Sequence, residues 1–315
     1  MSNARFGLAV LAVAIVIAAA SRLVTNDYFF SAAYTVLQFV VLATAWNILG
    51  GYTGYVNFGS AAFFATGAYT SIFLYKAVHA PLPVMIVCGT LMAALLGLAV
   101  GYLTLRMRGV FFAIATLALS VVLYTLVVNW DYVGGARGAY ILQPRQMPFG
   151  FTRYVQVLFS TMLLMAAFSI VVARVIETSA IGRGLAAIRD DELAAECAGV
   201  PTLRLKALAA ATSGGLMGMA GTTFPYYLSY VEPGAAFNLS YAVNSIAMPL
   251  IGGMMSWMGP LIGALLLGTV QQVVQVTVSS EWNLLIVGFL LVAFVTAAPR
   301  GIMGWVSRRF GGSGP

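Results

Sequence analysis

Long apolar runs, each about the length of a membrane-spanning helix, follow one another through this sequence. A transmembrane helix needs roughly 20 mostly apolar residues. Runs of this kind predict candidate spans at residues 5–21, 29–49, 57–78, 82–104, 110–129, 154–176, 206–229, 237–254, 259–279 and 283–298. We therefore expect an all-α polytopic membrane protein with about 8–10 transmembrane helices, some of them broken or re-entrant.

The composition indicates that lipid surrounds these runs. Of 315 residues, 61% are hydrophobic and only 8% are charged, whereas soluble domains carry roughly 25% charged residues. The mean hydropathy is +0.94. A soluble fold would need far more charge on its exterior, so these numbers exclude an ordinary soluble domain.

The basic residues indicate how the spans are oriented. The 16 lysines and arginines are scattered between apolar runs and form no basic stripe with interleaved aromatic residues, which argues against a nucleic-acid partner. If residues 177–205 are cytoplasmic, alternation of the spans places 11 of these 16 residues inside, as the positive-inside rule favours. Both termini are then expected in the cytoplasm.

A glycine-rich segment at residues 50–75, GGYTGYVNFGSAAFFATGAYTSIFLY, leaves the path of the chain open. It is compatible with a full crossing or with a re-entrant half-helix, because irregular backbone survives at membrane depth when protein or a wet cavity covers it. Glycines four residues apart also predict close helix packing. These pairs are Gly50 with Gly54, Gly97 with Gly101, Gly214 with Gly218, and Gly259 with Gly263.

The sequence lacks the residue patterns of an enzyme. Its one histidine is His79, and no HExxH, G-x-S-x-G or phosphate-binding G-x-x-x-x-G-K-[ST] pattern occurs. We expect no catalytic residue, no metal site and no cofactor in this chain. The acidic residues fall near predicted span ends, whereas ion-coupled transporters place ionisable groups within the bilayer. An ion-coupled secondary transporter and an intramembrane enzyme are the alternatives from other functional classes.

Polar residues inside otherwise apolar helices are candidates for a translocation pathway. Such groups can meet a polar solute, although each could equally hold neighbouring helices together. The candidates are Asn47, Thr53, Asn57, Ser60, Asn129, Ser240 and Asn244, with Gly54 and Gly59 allowing the backbone to bend. Tyr226 and Tyr227 fit an outer vestibule or an aromatic belt.

The connection at residues 177–205 contains the pattern of a short helix. Asp190, Asp191 and Glu192 would open it, because acidic groups are stabilising at a helix N-terminus. Gly199 suits the C-terminal cap. The exposed side would present small or apolar residues to a groove on another protein, or would be a plain amphipathic surface loop; these residues are Leu193, Ala194, Cys197 and Ala198.

Four stretches of the sequence carry a family resemblance. AAIRDDELAAECAGV looks like the EAA loop of ABC importer permeases. AWNILGGYTGYVNFGSAAFFATGAYT, LRMRGVFFAIATLALS and LIGGMMSWMGPLIGALL agree with the same family. They occur in the family's order and cover most of residues 40–300, so the chain resembles LivM-type permease subunits of ABC importers for branched-chain amino acids and related small solutes.

The resemblance implies a permease that forms half of the pathway for branched-chain amino acids or a related small polar solute. It implies four kinds of partner in a bacterial inner membrane: a second, LivH-like permease, two cytoplasmic ATPases that hold ATP and Mg, and an extracytoplasmic binding protein. Urea, short amides and small carboxylates are the alternative solutes. Residues 1–310 are expected to form one permease domain with a coupling loop at 178–205, and residues 311–315 a flexible tail.

In such permeases the short helix sits in an ATPase cleft. The resemblance therefore implies a coupling role for Arg189, Asp190, Asp191, Glu192, Leu193, Ala194, Cys197, Ala198 and Gly199. Members of this family commonly have a glutamate eight residues before a Gly-Gly pair. In this sequence the pair is Gly252 and Gly253, and Asn244 stands at the position of that glutamate. Pro249 also interrupts this predicted helix.

Overall fold

A computed structural model describes residues 2–22, 24, 26–104, 107, 109–143, 151, 153–277, 285, 288–289, 292, 296 and 301–304. Most of these residues are helical. The helices are α1 Asn3–Ser21, α2 Asp27–Thr53, α3 Ser60–Val78, α4 Leu82–Thr104, α5 Val110–Val128, α6 Tyr154–Thr178, α7 Ala180–Asp190, α8 Glu192–Cys197, α9 Thr202–Gly221, α10 Phe224–Leu228, α11 Pro233–Ala236, α12 Leu239–Gly252 and α13 Met258–Thr277. Two short strands, β1 Ala139–Tyr140 and β2 Tyr230–Val231, pair antiparallel.

The long helices run between two ends of one bundle. At one end, Asn3 of α1 donates a hydrogen bond to Thr178 at the end of α6 (3.0 Å), and α8 lies at this end, which we call the α8 end. At the other end, Asp27 at the start of α2 forms an ion pair with Arg153 before α6. We call this the Asp27 end.

Six of the helices in the described part of the chain are long and apolar enough to cross a membrane: α1, α2, α4, α5, α6 and α13. The predicted all-α polytopic membrane fold is thereby confirmed. Helices α3, α9 and α12 lie where the spans at 57–78, 206–229 and 237–254 were predicted, and they are largely buried in the bundle. The tenth predicted span, 283–298, lies mostly outside the described residues, and the predicted tail at 311–315 lies wholly outside them.

Helix α2 forms the centre of the bundle. Every residue from Gln38 to Thr53 is buried, and α2 packs against α6, α9, α12 and α13. Its 27 residues correspond to about 40 Å at 1.5 Å per residue. The helix is therefore long enough to join the two ends of the molecule.

The glycine-rich segment at 50–75 is a crossing. The amide of Phe58, just before α3, donates to Thr116 in α5 (3.1 Å). The ring of Phe73, near the end of α3, packs against Trp130 and Tyr132 beyond the end of α5. The helix α3 therefore runs beside α5 in the same direction, and the re-entrant alternative does not describe it.

Glycines allow α4 and α9 to approach closely. A methyl group added to Gly218 would collide with the side chain of Ala93, and one added to Gly97 would collide with the backbone at Ala210. Helices α12 and α13 meet in the same way, because a side chain at Gly263 would overlap the carbonyl of Met248. The close packing predicted for Gly214 with Gly218 and Gly259 with Gly263 is confirmed, as expected where small residues mediate helix association in lipid.

One helix boundary differs from the prediction in a way that matters for the site. The predicted span began at residue 206, whereas α9 begins at Thr202. Lys206 was the first residue of the predicted span, but it is the fifth residue of α9 and its side chain is only 3% exposed. A lysine at that depth requires a partner, because burial of an unpaired charge is very unfavourable.

Candidate functional site

A cavity of about 710 Å³ opens among α2, α10, α12 and α13 toward the Asp27 end. This volume lies within the roughly 300–1,000 Å³ typical of small-molecule sites. The lining residues are Tyr28, Ser31, Ala32, Thr35, Gln38, Phe39, Phe224, Tyr227, Leu228, Ala235, Asn238, Ser240, Tyr241, Asn244, Gln271, Gln272, Gln275 and Val276. We call it the polar cavity.

Three helices each contribute polar side chains to this cavity at helical spacing. Residues three or four positions apart share one face of a helix. The stripes are Ser31, Thr35 and Gln38 on α2, Ser240 and Asn244 on α12, and Gln271 and Gln275 on α13. The polar lining is therefore assembled by the packing of three helices.

The polar cavity deepens from an exposed rim to a buried floor. Asn238 and Gln275 at the rim are exposed, whereas Gln38, Asn244 and Gln271 are 3%, 7% and 3% exposed. We call these three residues the cavity floor. There the amide of Gln271 donates to Oδ1 of Asn244 (2.8 Å), while Nε2 of Gln38 has no hydrogen-bond partner among the described residues.

Among the described residues, those that line the polar cavity include no carboxylate, lysine, arginine or histidine. Its polar groups are amides and hydroxyls, which offer both donors and acceptors. By contrast, a groove of about 560 Å³ between α1, α2, α6 and α13 is lined almost entirely by apolar residues, as expected for a surface against lipid. The polar cavity can thus hold a small polar solute without fixing a charge.

The far end of α2 contacts the segment that contains α8. Helix α2 ends at Gly54, whose backbone has φ +77°. A side chain there would lie 3.3 Å from Cγ of Arg189, the residue before the last in α7. Arg189 also donates to the sulfur of Met255 in the turn before α13 (3.0 Å). The end of α2 is thereby held between α7 and the α12–α13 connection.

Helix α8 is a short, capped helix with one exposed side. Oδ1 of Asp191 accepts hydrogen bonds from the amides of Leu193 and Ala194 (2.9 and 3.1 Å), which satisfies donors that a helix start leaves free. Gly199 follows the last turn with φ +83°. The residues predicted for the exposed side, Leu193, Ala194, Cys197 and Ala198, are exposed, as is Glu196, while Ala195 is buried.

Three side chains fasten α8 to the rest of the bundle. Glu192 forms an ion pair with Lys206 of α9 (2.6 Å), and the hydroxyl of Tyr55 donates to the other oxygen of Glu192 (2.5 Å). Lys206 lies 3.2 Å from the same hydroxyl and 4.9 Å from the ring centroid of Tyr55. We call this group the clasp, and it joins α8, α9 and the residue that follows Gly54.

A second carboxylate binds neighbouring elements together at the α8 end. Oε2 of Glu177, near the end of α6, accepts hydrogen bonds from the hydroxyl of Tyr52 in α2 (3.1 Å) and from the amide of Trp257 (2.6 Å). The carboxylate thus links α6, α2 and the start of α13. This end of α2 is held by several charge-assisted contacts, which are stronger than neutral hydrogen bonds.

The structure separates the nine residues predicted for the pathway. Ser240 and Asn244 line the polar cavity. The others lie elsewhere: Asn47, Thr53, Asn57 and Ser60 are buried, Gly54 and Gly59 flank the loop between α2 and α3, and Asn129 is exposed at the end of α5. Several of the buried residues hold the bundle together, as when Ser245 of α12 donates to Ser60 (2.9 Å).

Several residues at the two sites were missed by sequence reasoning. Thr35, Gln38, Gln271 and Gln275 line the polar cavity but were not selected, although their spacing of three or four residues in otherwise apolar helices was visible in the sequence. Tyr227 lines the cavity, whereas Tyr226 is buried and contacts the sulfur of Met85 instead. Lys206 could have been recognised as the only lysine close to the acidic stretch that precedes α9.

Comparison with known proteins connects this arrangement to one family. The family described as "Branched-chain amino acid transport system / permease component" matches residues 28–295. The "High-affinity branched-chain amino acid transport system permease protein LivM" of Escherichia coli strain K12 is 26% identical over 289 residues, which cover 84% of this chain and 67% of that protein. The protein of the same name from Salmonella typhimurium strain LT2 is 25% identical with the same coverage.

No solved structure matches the chain significantly. The family match extends over most of the sequence and includes α2, the polar cavity, the clasp and α8. The resemblance seen in the four sequence stretches is confirmed by this match. This chain belongs to the family of permease components of branched-chain amino acid transport systems.

Proposed function

We propose that this protein is a permease subunit of an ABC importer and forms half of the pathway for a branched-chain amino acid or a related small polar solute. Its family and its LivM relatives support this assignment. The polar cavity supports it as well, because amide and hydroxyl groups suit a polar solute. In this proposal a binding protein delivers the solute at the Asp27 end, which faces the outside.

The proposal rests on the position of α2. The first part of this helix lines the polar cavity, and its last residues contact the α8 segment. Ser31 and Gln38 face the cavity, whereas Gly54 and Tyr55 contact Arg189 and Glu192. No long flexible connection intervenes between these contacts. A movement of α8 can therefore reach the cavity through a helix of about 40 Å.

The mechanism follows from this connection. The exposed side of α8 docks in a cleft of one of two cytoplasmic ATPases, which bind ATP and Mg, and a second, LivH-like permease completes the membrane part. ATP favours one arrangement of the bundle because it is bound more tightly in that arrangement. The coupling residues proposed from the sequence divide into two roles: Leu193, Ala194, Cys197 and Ala198 contact the ATPase, whereas Glu192 anchors α8.

The acidic residues favour this mechanism over ion-coupled transport. The carboxylates in the described part of the chain lie at helix ends or in connections; they are Asp27, Asp131, Glu177, Asp190, Asp191, Glu192, Glu196 and Glu232. A proton relay or cation site commonly needs ionisable groups at membrane depth. An external ATPase is consequently the proposed energy source, and we propose that the α8 end and both termini face the cytoplasm.

Reconstitution tests the proposal. The complete complex in liposomes is expected to accumulate leucine only with ATP, and leucine with its binding protein is expected to stimulate ATP hydrolysis. Ala194→Arg and Ala198→Arg place bulky charges on the docking side of α8, which should reduce the stimulation about tenfold or more, since a charge without a partner at an interface is costly. Ala4→Arg makes the same change at an exposed alanine at the α8 end.

The control variant is expected to keep the stimulation of the unaltered complex. Accumulation of leucine without any ATPase would contradict the proposed energy source. Full stimulation in both α8 variants would contradict the docking role of α8. The two failures are distinguishable because uptake and ATP hydrolysis are measured separately.

A further inference from the structure

The cavity floor contains a hydrogen-bond donor that nothing in the described residues satisfies. Gln38 is 3% exposed, and its Nε2 has no partner. A buried unsatisfied donor costs about 1–3 kcal/mol, and such groups are uncommon in folded proteins. Gln38 lines the polar cavity, so an occupant of the cavity can supply the missing acceptor.

The neighbouring amides restrict what this occupant can be. The hydrogen bond from Gln271 to Oδ1 of Asn244 (2.8 Å) fixes both side chains across α12 and α13. Gln38 approaches the same space from α2. The three helices thus converge on a small patch in which the donor of Gln38 has no partner and no charged side chain occurs among the described lining residues.

We infer that the cavity floor is a solute-binding subsite in which the amide of Gln38 donates to a carboxylate or carbonyl oxygen of a small solute with no net charge. This inference rests on the proposed function and assigns a solute class and a binding residue to its pathway. Hydroxyls and amides along the walls, such as those of Tyr227 and Ser240, meet the remaining polar groups of the solute.

The described lining residues carry no charge and therefore disfavour solutes with net charge. A zwitterion brings its own opposite charge, so its two groups partly compensate each other in the cavity. A solute with a single charge would be buried against amides and hydroxyls without an ionic partner, which is strongly unfavourable. The subsite therefore separates solutes by net charge before it separates them by side chain.

Protection of a cysteine in the cavity tests this subsite without requiring transport. Cys88 and Cys197 are first replaced with alanine, and Ala235→Cys introduces a reporter in the cavity lining. The complete complex without nucleotide is treated with a thiol reagent in the presence of leucine, N-acetylleucine, which is negative, or leucinamide, which is positive. Leucine is expected to slow the modification, and the two charged analogues are not.

The same assay tests Gln38 directly. Gln38→Met keeps the length of the side chain but removes the donor, and it should raise the half-protecting leucine concentration about tenfold. Gln143→Met makes the same change at an exposed glutamine that does not line the cavity and should change this concentration less than about twofold.

If the half-protecting leucine concentration were the same in Gln38→Met as in the complex with the unaltered cavity floor, the inference would be overturned. So would protection by N-acetylleucine as strong as that by leucine, or no protection by leucine at all. Uptake by the same complex is measured in parallel. Uptake that does not depend on ATP would contradict the proposed function and leave the protection result unaffected.

Discussion

The two ends of α2 hold opposite kinds of contact. At the Asp27 end, Ser31, Thr35 and Gln38 face a cavity that has no charged side chain in the described part of its lining. At the α8 end, Tyr52 and Tyr55 contact the carboxylates of Glu177 and Glu192, and the latter is paired with a buried lysine. Apart from the exposed ion pair of Asp27 with Arg153, α2 thus carries neutral contacts at one end and charge-assisted contacts at the other.

The difference between the two ends of α2 matches two different requirements of transport. A solute that must be released needs contacts that are individually weak, and neutral hydrogen bonds contribute only about 0.5–1.5 kcal/mol each. A mechanical joint needs contacts that persist while elements move, and hydrogen bonds to charged groups are about twice as strong. The contrast predicts that changes at the clasp disturb coupling and that changes in the cavity disturb solute binding.

Lys206→Met should have the largest effect. It removes the lysine that is ion-paired with the largely buried Glu192, and removal of one partner of a buried ion pair typically costs about 3–5 kcal/mol. We expect a melting temperature several degrees lower and no stimulation of ATP hydrolysis by leucine. Fluorescence-detected thermal unfolding of the purified complex and an ATPase assay measure these effects.

Lys76→Met is the matched control, because Lys76 is exposed at the Asp27 end and should be replaceable without loss. The double variant Lys206→Met with Glu192→Gln should recover part of the stability, since no unpaired charge remains. A Lys206→Met complex that is as stable and as strongly stimulated as the unaltered one would show that the clasp is dispensable.

Gly54→Val should uncouple the two ends of α2 with a smaller loss of stability. A β-branched residue at φ +77° is strained by roughly 1–2 kcal/mol, and its side chain would press on Arg189. We expect stimulated ATP hydrolysis to fall about tenfold while leucine protection of Ala235→Cys is unchanged.

Gly234→Val is its control, because the space around Gly234 is open. It should leave both readouts intact. If Gly54→Val weakened leucine protection as much as it weakened ATP hydrolysis, the division of α2 into a binding part and a coupling part would be incorrect.

Tyr55→Phe should have a moderate effect that is confined to coupling. The change removes the hydroxyl shared by Glu192 and Lys206 but retains the ion pair and the ring. Loss of about 1 kcal/mol predicts a reduction of about fivefold in stimulated ATP hydrolysis. Tyr140→Phe, at an exposed tyrosine of the Asp27 end, should give no reduction, and a reduction of equal size there would remove the assignment of Tyr55.

Ser240→Ala should have the smallest effect. Ser240 is a half-exposed wall residue of the polar cavity, where water can replace its hydroxyl. We expect the half-protecting leucine concentration to rise only about two- to threefold, with unchanged maximal stimulation of ATP hydrolysis. A loss of stimulation without a change in protection would place Ser240 in the coupling part of the molecule.

Much of the fold was predictable because the membrane imposes a length and a hydropathy on its helices. The spans at 82–104 and 110–129 were recognised almost to their observed ends. Helix α9 was placed four residues too late because residues 202–205 were assigned to the connection. A pattern of hydropathy cannot show that a lysine is neutralised by a glutamate that lies 14 residues earlier in another helix.

The site was predictable in residue type and less so in position. Ser240 and Asn244 were selected as polar residues in an apolar helix, and the same reasoning selected Asn47, Thr53, Asn57 and Ser60, which lie outside the cavity. The rotation of each helix about its axis decides between these outcomes, and that rotation is set by packing. Close glycine contacts such as Gly263 with Met248 contribute to it.

In the proposed mechanism, nucleotide acts on the polar cavity through α8, the clasp and α2. A cysteine at Ser31, on the cavity side of α2, measures this in the complete complex after Cys88 and Cys197 are replaced with alanine. We expect ATP with vanadate to change the rate at which a thiol reagent modifies this cysteine. Lys76→Met should preserve this change in rate, and Lys206→Met should abolish it. An equal change in the modification rate in both variants, or no change in the unaltered complex, would contradict this mechanism.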